Sequence, residues 1–122
     1  MKYVLMFTSR PDLDAAVDPD RATEVYKEVY SWFGTNADQI TDSGAELHPV
    51  TTATTVHHGD SGPVVVDGPF NEAKEVIGGF TVIDVADMDA AVAITKTWPM
   101  LQLPGCSVEI RPMVEDYSHM EG

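Results

Sequence analysis

A chain of 122 residues, 43% hydrophobic and 22% charged, is sized for one core, since splitting it would leave neither half enough buried surface to fold. Twenty acids against seven bases give a formal charge of −13, which repels phosphate backbones and anionic headgroups and argues against direct nucleic-acid binding, while suiting a basic partner or a cationic ligand. The single cysteine, Cys106, excludes an intrachain disulfide and points to a reducing, cytoplasmic setting, and no apolar run nears the roughly 20 residues that span a bilayer.

Residues 2–8 are rich in Tyr, Val, Leu, Met and Phe and stop before Arg10 and Pro11. They read as a buried first strand, too short an apolar run for a secretion signal. Asp18-Pro19-Asp20 supplies an N-cap, a proline at the first helical position and an acid at the positive end of the dipole. The helix that follows carries Ala22, Val25, Val29, Trp32, Phe33 and Ile40 on one face, with Gly34 as a weak point, and is expected to run to Ile40 before Ser43-Gly44 breaks it. Residues 45–49 and 51–58 read as extended. A turn cluster from His57 to Gly62 joins the second of these to residues 63–66 in a hairpin.

Asp67-Gly68-Pro69-Phe70 must leave the strand, because Pro cannot donate to a ladder, and a short helical turn is expected from Asn71 to Val76. Residues 78–85 form the clearest strand. Asp87 then caps a second helix through Met88, Ala91, Val92, Ala93 and Ile94, stopped by Pro99 beside Trp98. After the Pro104-Gly105 turn, residues 107–114 alternate as a last strand and residues 115–122 form a polar tail, leaving a single domain over residues 1–114.

This order is the ferredoxin-like β-α-β-β-α-β plan, an α+β fold with an antiparallel sheet, both helices on one face, and a β-hairpin inserted before the third core strand. In the first strand Val4 and Met6 oppose Tyr3, Leu5 and Phe7; in the strand after Gly78, Phe80 and Val82 oppose Ile83 and Val85. Two helices cover one face, so the other needs a cover. A second copy related by a two-fold axis supplies it, burying roughly 800 Å² per partner in a homodimer.

At Asp67-Gly68-Pro69-Phe70, followed by Glu72, Lys74, Glu75 and Gly78-Gly79-Phe80, the chain resembles the DGPF-domain branch of the YCII-related family. The likeness also takes in Gly44-Ala45-Glu46-Leu47, Thr52-Ala53-Thr54-Thr55-Val56, Val82-Ile83-Asp84-Val85 with Asp87-Met88-Asp89, and Val108-Glu109-Ile110-Arg111-Pro112, in order along nearly the whole chain. The resemblance implies a dimeric α+β barrel fold. The broader YCII-like group carries a His on the first helix and an Asp just after the second, a pair suited to acid–base or hydrolytic chemistry. Here the first helix has no His, and Trp98-Pro99 stands where Asp-Pro is expected, so a hydrolase assignment is not inherited. The DGPF branch also implies a regulatory link, through an association with extracytoplasmic-function sigma factors.

Among single residues, Asp67 is the acid of most interest. The Gly68-Pro69 turn can hold its carboxylate at the mouth of a pocket with Lys74 and Glu75 close by; the simpler reading has it accepting turn amides. Arg111 lies with Glu109 on the face opposite Val108 and Ile110, as an anion contact or as half of an ion pair with Glu109, Asp67 or the partner subunit. His48 is the histidine placed to move a proton. His57, His58 and Asp60 make no convincing metal site, and neither metal nor cofactor is predicted. Cys106, Ser61 and Ser107 lack partners for nucleophilic catalysis. Trp32, Phe33, Phe80 and Trp98 are either core or the lining of a ligand cavity.

Two functions are compatible with these residues. One is a small-molecule enzyme or binder with Asp67 and His48 as acid–base groups and Lys74, Glu75 and Arg111 as ligand contacts. The other is a non-catalytic regulatory module whose acidic surface meets a basic protein segment.

Overall fold

The first strand is apolar on both faces from Tyr3 to Phe7, and it takes a place inside the sheet. In the computed structural model, which describes residues 1–69 and 75–118, β1 (Lys2–Ser9) pairs with β5 (Val76–Asp84) on one side and β6 (Ser107–Pro112) on the other. β2 (Ile40–Glu46) completes a four-stranded sheet of order β2-β5-β1-β6, and all three pairings are antiparallel. Between β1 and β2 lie a one-turn helix α1 (Pro11–Asp14) and the long helix α2 (Pro19–Thr35); α3 (Met88–Thr95) joins β5 to β6. The hairpin of β3 (Thr54–His57) and β4 (Val64–Asp67) stands as a separate two-stranded sheet, inserted before β5. This is the ferredoxin-like order the sequence predicts.

The helices start where their caps dictate. The Asp18 carboxylate accepts the Asp20 N–H at 3.0 Å, and Asp87 Oδ1 accepts the Ala90 N–H at 2.9 Å, each satisfying an orphan donor of a first turn. Val25, Val29 and Trp32, at spacings of four and three, bring one stripe of α2 onto the sheet. There Tyr3, Leu5, Trp32, Ile83, Ala91 and Trp98 form the core. Trp32 Nε1–H donates to Thr97 Oγ1 at 2.8 Å, so the indole buries its ring without orphaning its donor.

α2 does not reach Ile40. It ends at Thr35, with Asn36 as C-cap, and Ile40 instead pairs with Ile83 in the sheet. The apolar spacing that suggested a longer helix arises because Ile40 packs against the same core from a strand. Ser43-Gly44 is therefore not a helix stop. Two register irregularities interrupt the β2–β5 pairing, one of them between Asp42 and Ala45, and Gly44 lies there at φ 70°, a conformation L side chains rarely adopt. A Cβ on Gly44 would run into the Phe80 carbonyl oxygen. α1 was not expected, although Pro11 and the acids Asp12 and Asp14 repeat the start signature seen at Asp18-Pro19-Asp20. Pro99 does more than stop α3: it opens a one-turn 3₁₀ helix, Pro99–Gln102. The turn expected from Asn71 lies almost entirely outside the described residues, and Val76 itself opens β5.

Register assigns the two sheet faces. Tyr3, Leu5 and Phe7 share the helix side with Ile83, Thr81 and Gly79, and with Pro112, Ile110 and Val108. The other side carries two cross-strand rows, Arg111-Val4-Val82-Asp42 and Glu109-Met6-Phe80-Ala45. Its apolar strip is thus central and narrow, bordered by charge on β6 and β2.

Candidate functional site

A cleft of about 1180 Å³ opens between α2 and the end of the sheet where β1 finishes and β5 begins. Its volume lies slightly above the roughly 300–1,000 Å³ of common small-ligand pockets. One wall is the outer stripe of α2, with Ala22, Tyr26, Val29, Tyr30 and Phe33; the other is the loop from β2 to the 3₁₀ turn Val50–Thr52, including Leu47 and His48. The inner end is aromatic. Phe7 stacks on Trp98 at 4.0 Å between ring centroids, and Phe33 meets Trp98 edge-on at 5.9 Å. Stacked and edge-on pairs fix ring positions as well as burying area, so this end of the cleft is rigid.

Few polar groups line these walls. The Tyr26 hydroxyl donates to Glu46 Oε2 at 2.9 Å across the mouth, joining α2 to β2. The hydrogen bond and charge of Glu46 hold the Tyr26 phenol above its ordinary range. Asp14, brought in by α1, has its Oδ1 sealed from solvent with no hydrogen-bond partner among the described residues. Beside it the half-buried Cys106 thiol is pushed up, first by burial and then by the charge of Asp14, so it stays protonated at neutral pH and is a poor nucleophile. A Cβ on Gly105 would lie 2.6 Å from Asp14 Oδ1; glycine there leaves the carboxylate its place.

Of the residues singled out from the sequence, the cleft takes His48, and Phe33, Phe80 and Trp98 among the aromatics. Trp32 is core. Asp67 ends β4 paired with Thr54, exposed on the hairpin and away from the cleft. Arg111 is two-thirds exposed on the far face of the sheet, with Nη1 at 3.5 Å from Glu109 Oε2, the ion-pair alternative rather than a pocket contact. Glu75 is exposed just before β5, and Lys74 lies outside the described residues. The four that are described, His48, Asp67, Glu75 and Arg111, are not brought together. His58 and Asp60 approach to 3.9 Å on the surface, and no group of three or more metal-binding side chains occurs among the described residues.

The Asp67-Gly68-Pro69 turn still bears on the cleft, through the backbone. Gly68 N–H donates to the Ala53 carbonyl at 2.7 Å, and Thr55 Oγ1 donates to the Gly68 carbonyl at 2.8 Å. Those bonds pin the chain directly after Val50–Thr52, part of the cleft wall. The groups that sequence reasoning passed over are Asp14, Tyr26 and Glu46. The Pro11 start signature was a readable sign of Asp14's helix; nothing local in sequence pairs Tyr26 with Glu46.

Comparison with known proteins places these features in context. A family model described as the YCII-related domain matches residues 1–114. An uncharacterised protein of Rhizobium meliloti (strain 1021) is 38% identical over 69 residues, 57% of this chain and 56% of that protein; the match spans little more than half the length of that curated relative. Among solved structures, the chain resembles 5-chloro-2-hydroxyhydroquinone dehydrochlorinase from Burkholderia phenoliruptrix AC1100, in complex with 2,5-dihydroxybenzoquinone, at a TM-score of 0.55 and 12% identity, covering 97% of this chain and 98% of that one. That likeness is one of fold.

Proposed function

The chain belongs to the YCII-related family, and from that premise we propose that it is a cytoplasmic homodimer whose cleft between α2 and the sheet binds, and acts on, a small organic molecule. The observation that carries this reading is the cleft itself: an aromatic inner end and a few convergent polar groups, Asp14, Tyr26 with Glu46, and His48. Such a combination is typical of a ligand site. A solved protein of the same fold is a dehydrochlorinase in complex with a hydroxylated ring compound, which supports small-molecule chemistry as something this fold can host. The residues favour proton transfer. His48 is the histidine in the cleft lining, and the protonated Cys106 argues against thiolate attack. Asp67, Glu75 and Arg111 we assign to the hairpin, the entry to β5 and the outer sheet face.

Homodimerisation is supported by the outer face, where the partly buried Val4 and Met6, flanked by the already buried Val82 and by Phe80, which also reaches the cleft edge, are bordered by Arg111, Glu109 and Asp42, the core-and-rim pattern of interfaces. A second reading, a regulatory module for a basic protein segment, is favoured by Val56 and Val65. This cross-strand pair on β3 and β4 is 63% and 66% exposed, within a chain of charge −13. Among the described residues no helix is long and apolar enough to cross a membrane.

A thermal-shift screen of small ring compounds tests the proposal on wild type, Ala22→Trp and Asp67→Asn, because a ligand selective for the native state raises the melting temperature. The expected result is a class of compounds that stabilises wild type and Asp67→Asn alike and fails on Ala22→Trp, whose side chain intrudes into the cleft from the α2 wall. Loss on Asp67→Asn with retention on Ala22→Trp would move the site to the Gly68-Pro69 turn.

A further inference from the structure

The cleft's acceptors are unevenly used. Glu46 already receives the Tyr26 hydroxyl, whereas Asp14 Oδ1 is sealed from solvent without a donor among the described residues. Asp14 as a whole is only partly buried and lines the cleft, so its carboxylate borders the space a bound molecule occupies.

Charge narrows the class of molecule further. The described lining residues include two carboxylates, Asp14 and Glu46, and neither a lysine nor an arginine. Tyr26, Tyr30, Phe33 and Trp98 are also in the lining, and an aromatic ring met face-on attracts cations and repels anions through its quadrupole. The chain as a whole carries −13, which raises the local concentration of cations and lowers that of anions. Arg111, which might have received an anion, is on the opposite side of the sheet and has Glu109 beside it.

We infer that the cleft selects a ring compound bearing a hydrogen-bond donor, an arylalkylamine in its cationic form ahead of a neutral alcohol, and that Asp14 receives that donor. The inference rests on the cleft being the ligand site and adds the ligand's charge and the residue that reads it. Asp14 is in this sense a binding residue supplied by α1. It stands apart from the position after α3 where the family resemblance led one to look for an acid, and where Trp98 instead closes the cleft's inner end.

Four probes of one shape separate the terms: naphthylmethylamine, naphthylmethanol, methylnaphthalene and naphthoate, titrated calorimetrically into wild type, Asp14→Asn, Asp14→Ser and Ala22→Trp. The amine should bind wild type at least about tenfold tighter than naphthoate, since one charge-assisted hydrogen bond is worth about that factor or more. The alcohol should fall between the amine and methylnaphthalene. Asp14→Asn should weaken the amine by about tenfold and leave methylnaphthalene unchanged, with Asp14→Ser repeating the pattern should the first variant fail to fold. Naphthoate binding as tightly as the amine, or an amine affinity indifferent to both Asp14 variants, overturns the inference. If those compounds still lose affinity on Ala22→Trp, the cleft itself stands as the site. No binding by any of the four overturns the inference and the cleft reading together.

Discussion

Asp14 and Cys106 form the most informative pair of residues in the cleft, because one reports on the other. Burial and the Asp14 charge both raise the Cys106 thiol, and Asp14→Asn removes only the second. The pH profile of Cys106 alkylation should therefore shift toward lower pH in that variant, while its midpoint remains above that of an ordinary thiol. The sign follows from the thiolate being the reactive form: less repulsion gives more thiolate at a given pH. An unchanged profile would mean that the Asp14 carboxylate does not act on the thiol. Gly44 gives a second single-residue test. With φ at 70° and the Phe80 carbonyl occupying the place of a Cβ, Gly44→Ala should lower stability by about 1–3 kcal/mol or more in chemical denaturation. A neutral substitution would show that the β2 irregularity can relax. Neither residue's role was legible beforehand. Gly44 was noticed but placed at a helix end, and the Asp14–Cys106 contact joins elements 92 positions apart in sequence.

Elements were more readable than contacts. Strand β1, the Asp18 and Asp87 caps and the hairpin insertion follow from alternation, cap chemistry and turn residues, all local properties. The end of α2 was misread because Ile40 continues a helical spacing by coincidence; β2 pairs with β5 across some forty residues of sequence, a tertiary influence that a local pattern does not carry. The β3–β4 hairpin shows the opposite imbalance. It was easy to foresee, yet two strands alone are marginal in water. Beyond the Gly68–Ala53 and Thr55–Gly68 bonds at its base, its outward face is the exposed Val56–Val65 pair with Thr54 and Asp67. Its amides should exchange with deuterium about two orders of magnitude faster than those of Leu5, Thr81 and Ile83. Equal protection would mean that the arm is clamped by a second copy or another protein, which favours the interaction reading.

At the scale of the whole molecule, the sheet divides the protein into two surfaces, which meet where Phe80 and Ala45 of the outer row also edge the cleft. The helix side holds the core and the cleft; the outer side presents the apolar centre and charged border proposed to meet a second copy. Met6 lies there beside Phe80 and Glu109 and outside the cleft lining, so Met6→Glu should convert a dimer into a monomer in sedimentation equilibrium at micromolar concentration by placing a charge in the interface centre. A wild type that sediments as a monomer at the same concentration contradicts the dimer outright. This surface was legible in part: strand alternation separated the faces, while the narrowness of the apolar strip emerged only once register set Arg111 and Glu109 beside Val4 and Met6.

The cleft as the ligand site is the claim on which the functional account depends, and an amide-resolved NMR titration of the isotope-labelled protein with naphthylmethylamine tests it most directly. The account predicts that shifts cluster at Thr8, Asp14, Ala22, Val29 and Leu47 around the cleft, with Asp67 and Arg111 unmoved. Shifts centred on Asp67 or Arg111, or a spectrum unchanged at saturating probe, would contradict it.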